Sequence, residues 1–109
     1  EVKNLKELLK ALRHESAAMF VNLCSRCGSE NYLMDRVVSK LQAEYGEQLG
    51  YEKLPVDASK IIQQELMISK NPVLLLIKDG EIKAVFDGIS AQFRLEAALR
   101  QLDESATES

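Results

Sequence analysis

The chain is 109 residues long, 46% apolar and 28% charged, with a formal net charge of -3. That length makes one domain the natural unit, and that apolar share fills one core without disulfide staples. Lys and Arg are scattered among Glu and Asp with no basic run, which argues against an electrostatic grip on nucleic acid; the longest apolar runs, around Val73–Ile77 and Ala17–Val21, are far too short to cross a bilayer.

The elements follow in chain order. Leu5, Leu8, Leu9 and Leu12 recur at helical spacing, so Asn4 to about His14 reads as an amphipathic helix with Asn4 as its N-cap. The run Ala18 to Leu23 reads as a buried strand, and the segment Cys24-Ser25-Arg26-Cys27-Gly28-Ser29 is the turn out of it. Leu33, Met34, Val37, Val38, Leu41 and Tyr45 make a long helical stripe that Gly46 stops. Tyr51 to Val56 reads as a strand despite Pro55, and Asp57 or Ser59 is placed to cap a short helix over Lys60–Met67 with Ile61, Ile62 and Leu66 inward. Val73 to Ile77 is aliphatic throughout, as a strand covered on both faces should be. Asp79-Gly80 is a hairpin turn, Glu81–Phe86 the return strand, and Gly88 its end. Ser90 is placed to cap a last helix carrying Phe93, Leu95, Ala98, Leu99 and Leu102, and residues 104–109 form a polar, disordered tail beyond a domain of 1–103. The order α-β-α-β-α-β-β-α predicts an α/β fold: a mixed central sheet of about four strands with helices on both faces.

Cys24 and Cys27 are the two cysteines. A bridge between them closes too small a loop to staple a fold, and two thiols do not fill a four-ligand zinc site. Half of a metal or cluster site completed across a dimer is the least favoured alternative. His14 reads as a solvated residue near a helix end, Glu30, Asp35 and Arg36 as a charged helix face, and Met19, Met34 and Met67 as core. The first residue is Glu1 rather than Met, which fits a chain cut from a longer polypeptide or relieved of a leader. A cytoplasmic setting is slightly favoured, and an exported one stays open.

Nearly the whole chain resembles the thioredoxin family. The most specific stretch is Asn71-Pro72-Val-Leu-Leu-Leu-Ile-Lys-Asp-Gly-Glu-Ile-Lys-Ala-Val-Phe-Asp-Gly88, with Tyr45 and Asp57 at matching distances upstream. The resemblance implies a three-layer sandwich, a cis proline at Pro72 that presents a strand-like edge to an incoming peptide, and a Gly88 that lets backbone approach the active face. It also implies thiol–disulfide exchange on protein disulfides through Cys24 and Cys27, with no metal or organic cofactor, a peptide partner held in extended form beside Asn71 and Pro72, and a reductase to restore the pair. A thiolate at a helix N-terminus is favoured by the macrodipole, and Arg26 would favour it further. In the direct reading Cys24 attacks and Cys27 resolves.

The register departs from the family. Counted back from Tyr45, the family's cysteines belong near Gly28 and Asn31, one helical turn beyond Cys24 and Cys27. Either an extra helical turn corrects this, or a one-residue deletion makes Cys27 the nucleophile, in Cys27-Gly28-Ser29-Glu30, with Glu30 at the resolving position. The flanking Trp residues are absent, and Asn22, which cannot titrate, stands for the family's buried Asp; Lys53 does match the family's lysine. Two functions remain: a thiol–disulfide oxidoreductase, which is favoured, or a redox-inactive module that binds a partner beside Pro72. Cys24 is also a good small hydrophobe with which to end a strand.

Overall fold

In the computed structural model, which describes residues 2–25, 28–88 and 90–108 (side chains other than those of 30 and 103–108), the first helix is α1, Leu5–Ala11. Asn4 caps it, its Oδ1 accepting the Glu7 N–H at 2.9 Å and satisfying one of the unpaired donors of the first turn. Strand β1 is Ala18–Leu23, and helix α2, Ser29–Tyr45, opens after Gly28 and closes at Gly46, whose N–H donates to the Gln42 carbonyl.

After a short 3-10 turn at Gly46–Gln48, strand β2 is Leu49–Lys53, not the predicted Tyr51–Val56. Parallel pairing from Ala18 opposite Leu49 to Asn22 opposite Lys53 fixes its start. Pro55 has no N–H for a ladder, and its φ of -59° suits a helix entrance; it precedes α3, Val56–Glu65. Neither Asp57 nor Ser59 caps that helix. Ser59 lies inside it and donates its hydroxyl to the Leu54 carbonyl at 3.3 Å. At the other end Ile68 N–H reaches the Gln63 carbonyl and Met67 N–H the Gln64 carbonyl, a Schellman close with Met67 left-handed at φ 59°. Met67 is therefore 92% exposed instead of in the core.

Strands β3, Val73–Lys78, and β4, Glu81–Asp87, meet at Asp79-Gly80. Both turn residues have positive φ, 55° and 74°, as the hairpin turn matched to strand twist requires. Helix α4 is Gln92–Glu108, so it continues beyond Asp103.

The sheet order is β2-β1-β3-β4, with β1 parallel to β2 and antiparallel to β3, and β3 antiparallel to β4. Side chains alternate across it. Phe20, Leu74 and Leu76 pack against Met34, Val38 and Leu41 of α2 and Leu95 and Leu99 of α4. Val21, Leu23, Val73, Leu75 and Ile77 pack against Leu8 and Leu12 on the α1 side and Ile62 of α3. Burying a Leu or Phe contributes about 1.5–3 kcal/mol. β3 is buried on both faces, so it locks both helix layers to one sheet. The predicted α/β architecture, with its mixed four-strand sheet between helices, is the observed one.

Candidate functional site

The end of β1, the mouth of α2 and the loop before β3 come together. Cys24 follows β1 directly and is buried, at 4% exposure. Arg26 and Cys27, and the side chain of Glu30, lie outside the described residues. Gly28 has extended φ and ψ (-136°, -151°) at the cap of α2, and its carbonyl accepts the Asn31 N–H at 3.1 Å. The helix therefore has no extra turn carrying Cys24. Burial of Cys24 also does not suit the attacking role, since a protein disulfide must reach the sulfur in line.

One polar cluster lies between β1, β2 and α2. Asn22, only 1% exposed, donates from Nδ2 to Asn31 Oδ1 at 2.6 Å and to the Tyr51 hydroxyl at 2.8 Å. Tyr51 donates in turn to Asp35 Oδ1 at 2.5 Å, and Lys53 Nζ holds the other Asp35 oxygen at 2.9 Å. Burial above all, with the hydrogen bond and charge of Asp35 and the neighbouring Cys24, pushes the Tyr51 phenol above its ordinary value, against a lowering bond from Asn22. The phenol thus keeps its proton well into the alkaline range. Among the described residues Asn22 Oδ1 is buried without a hydrogen-bond partner. Lys53 pairs with Asp35 at the surface end of this chain of bonds.

A second cluster lies on the other side of Cys24. Asn71 Oδ1 accepts the Ser25 N–H, the Ser25 hydroxyl and Gln63 Nε2, each at 3.1 Å. Gln63 Nε2 also donates to the Lys70 carbonyl at 3.0 Å. Asn71 therefore spends its side-chain oxygen inside the fold, tying the residue after Cys24 to the Pro72 loop. The Asn71–Pro72 peptide bond is cis, Pro72 is buried, and its carbonyl accepts the Gly88 N–H at 2.7 Å. Gly88 has φ 85°, and a Cβ there would meet nothing within 4 Å. Within this chain its glycine answers to backbone conformation, not crowding.

Tyr51 and Gln63 were missed. Tyr51 becomes a site residue only through the β1–β2 register, which sets it opposite Phe20 and its hydroxyl over Asn22. Gln63 did leave a signal, a polar residue beside Ile62 on the inner stripe of α3. Three residues read as inward are instead well exposed: Leu33 at 46%, Ile61 at 44% and Phe93 at 71%. Among the described residues no helix is long and apolar enough to cross a membrane.

No protein-family model and no curated protein sequence matches this chain. Solved structures do. Thioredoxin from Fasciola hepatica superposes with a TM-score of 0.68 at 19% identity, over 91% of this chain and 95% of that one. Mitochondrial thioredoxin 3 from Saccharomyces cerevisiae, in its oxidized form, gives 0.68 at 23% identity over 91% of each chain. Thioredoxin-2, described as a component of malaria parasite protein secretion machinery, gives 0.66 at 16% identity over 78% of this chain and 82% of that one. At such identities the likeness shows the fold: this chain is thioredoxin-like in architecture.

Proposed function

We propose that this chain is a protein-binding module on a thioredoxin-like fold, in which the family's exchange chemistry has been replaced by a fixed amide pair. The carrying observation is the 2.6 Å bond from Asn22 to Asn31. By the resemblance, these are the positions of the proton-moving acid and of the second cysteine. An amide neither titrates in the working range nor bonds covalently to sulfur, and each is here committed to the other. The partner lies in extended form across the mouth of α2, beside the Pro72 loop. Tyr32, 64% exposed, and Leu33 offer apolar contact there.

One observation favours the second function, thiol–disulfide exchange. Asn71 holds Ser25, and so the backbone of Cys24, beside the Pro72 loop. With Cys24 buried, Cys27 takes the attacking role. Its thiolate bonds to one sulfur of a protein disulfide, and the other sulfur leaves as thiolate and takes a proton from water. Cys24, as thiolate, then attacks the Cys27 sulfur, releasing the second substrate thiolate, and a dithiol reductase or small dithiol reduces the Cys24–Cys27 bridge.

Reduction of insulin disulfides in the presence of dithiothreitol separates the two. The binding module turns over insulin no faster than its Cys24→Ser/Cys27→Ser double variant. A wild-type rate well above that of the double variant, abolished by Cys27→Ser, overturns it in favour of exchange.

A further inference from the structure

The sheet has two edges, β2 and β4, and they are finished differently. β4 carries one residue more than its partner strand needs: Leu76 faces Ala84 and Ile77 faces Ile82, so Lys83 is left over as a bulge. Lys83 also pairs with Glu81 along its own strand at 2.9 Å. A bulge and a lysine are common means of keeping a foreign strand off an edge. β2 keeps an unbroken register from Leu49 to Lys53 and has no such bulge.

The register also says which groups β2 presents. The Leu54 N–H donates to the Asn22 carbonyl of β1 at 3.1 Å. By alternation Gly50 and Glu52 turn their backbone groups to β1 as well, while Leu49, Tyr51 and Lys53 turn theirs away. Leu49 is already engaged: its N–H donates to the Gly46 carbonyl, and its own carbonyl accepts Gln42 Nε2 at 3.2 Å. The backbone N–H and C=O groups of Tyr51 and Lys53 have no hydrogen-bond partner among the described residues. Two donors and two acceptors, on alternate residues and on one side, match the backbone of one extended segment.

Side chains decide which segment. Glu52 is exposed and sits between the two open residues, on the sheet face opposite theirs; Lys53 is turned to Asp35. A second copy of this chain, pairing antiparallel through its own Tyr51 and Lys53, would centre on Glu52. That sets two carboxylates directly opposite, with Cβ atoms about 4.5–5.5 Å apart, and like charges so placed oppose pairing. The edge therefore rejects itself and favours a strand with a cation at that position.

We propose that β2 takes on, as an added antiparallel strand, an extended segment of a partner protein with Lys or Arg opposite Glu52 and uncharged β-branched residues opposite Tyr51 and Lys53. β1 separates this edge from β3 and the Pro72 loop, so the contact is a second one. It rests on the protein-binding reading only in taking a protein as its occupant.

The test is amide NMR of the labelled chain with a capped seven-residue peptide alternating Val and Lys, and in parallel one alternating Val and Glu. In the free protein the Tyr51 and Lys53 amides are expected to exchange with solvent as fast as unstructured ones. The Lys peptide slows them and shifts residues 49–53, leaving 81–87 unmoved. Glu52→Lys, at an exposed position, inverts the preference: the Lys peptide loses about tenfold in affinity, an attraction turned into a repulsion, and the Glu peptide gains. Slow exchange at Tyr51 and Lys53 before any peptide is added means the edge is already paired and overturns the proposal. Equal response to both peptides overturns it too. So does a preference for the Lys peptide that survives Glu52→Lys, which general attraction to a chain of net charge -3 would produce. Shifts confined to the α2 mouth and the Pro72 loop overturn the edge site and leave the binding module standing, since the insulin assay tests that module by itself.

Discussion

The two polar clusters beside Cys24 are each built around an asparagine and behave differently. The one against α2 runs from buried Asn22 through Tyr51 to Asp35 and Lys53, whose side chains are 29% and 51% exposed. It starts neutral in the core and ends in charges that water and salt can reach. The one against α3, Ser25, Asn71 and Gln63, is neutral throughout, with three donors converging on one oxygen. The first is open to pH and ionic strength; the second fixes geometry, because nothing in it titrates and little water is at hand to replace a lost bond.

Asn71→Ala tests this contrast most severely. It strips the acceptor from two Ser25 donors and one Gln63 donor at once, and is expected to cost about 3 kcal/mol in urea unfolding, equally at low and high salt. A loss under about 1 kcal/mol would mean that water replaces the amide and that the second cluster is no clamp.

Asn22→Asp comes next. Burial and the neighbouring Asp35 carboxylate would raise the new carboxyl's folded pKa above its unfolded value of about 4. The folded state then holds a proton the unfolded state has lost, so stability falls as pH rises above about 4. The variant should match the wild type near that pH and fall about 2 kcal/mol short of it at pH 7. A pH-independent difference would show that water reaches Asn22.

Tyr51→Phe is smaller, about 1 kcal/mol near neutrality, since Asn22 keeps Asn31 and Asp35 keeps Lys53. Its sharper signature is alkaline. The raised phenol pKa means the native state retains a proton that the unfolded chain gives up from about pH 10, so wild-type stability declines above that pH. The Phe variant should decline less steeply over the same range, and parallel curves would remove Tyr51 from the chain of bonds. Lys53→Met should do least, under about 0.5 kcal/mol and vanishing in high salt, as an exposed ion pair does.

The architecture was legible because periodicity reports it directly. The short buried run of β1, the all-aliphatic β3 and the Asp79-Gly80 turn read as strands and a hairpin, and the sheet follows from their order. Pro55 was legible too, but was assigned to the wrong element: its missing N–H ends a strand and its φ opens a helix, and only the parallel register of β1 with β2 decides where one passes to the other. Leu33, Ile61 and Phe93 were read as core because an apolar residue one position off a helical stripe looks the same in sequence as one on it. Helix rotation against the sheet, set by packing, exposes them.

By itself the sequence determined the α/β order, the turn residues, and a pair of cysteines, Cys24 and Cys27, set two residues apart just after β1. Only the tertiary structure decided that Asn22 bonds Asn31 and that Asn71 turns its oxygen inward to Ser25 and Gln63. The reason is range. Periodicity and turn chemistry act over a few neighbouring residues and are written locally, whereas hydrogen bonds such as Ser25 to Asn71 join positions 46 apart and exist only once the sheet has set its register.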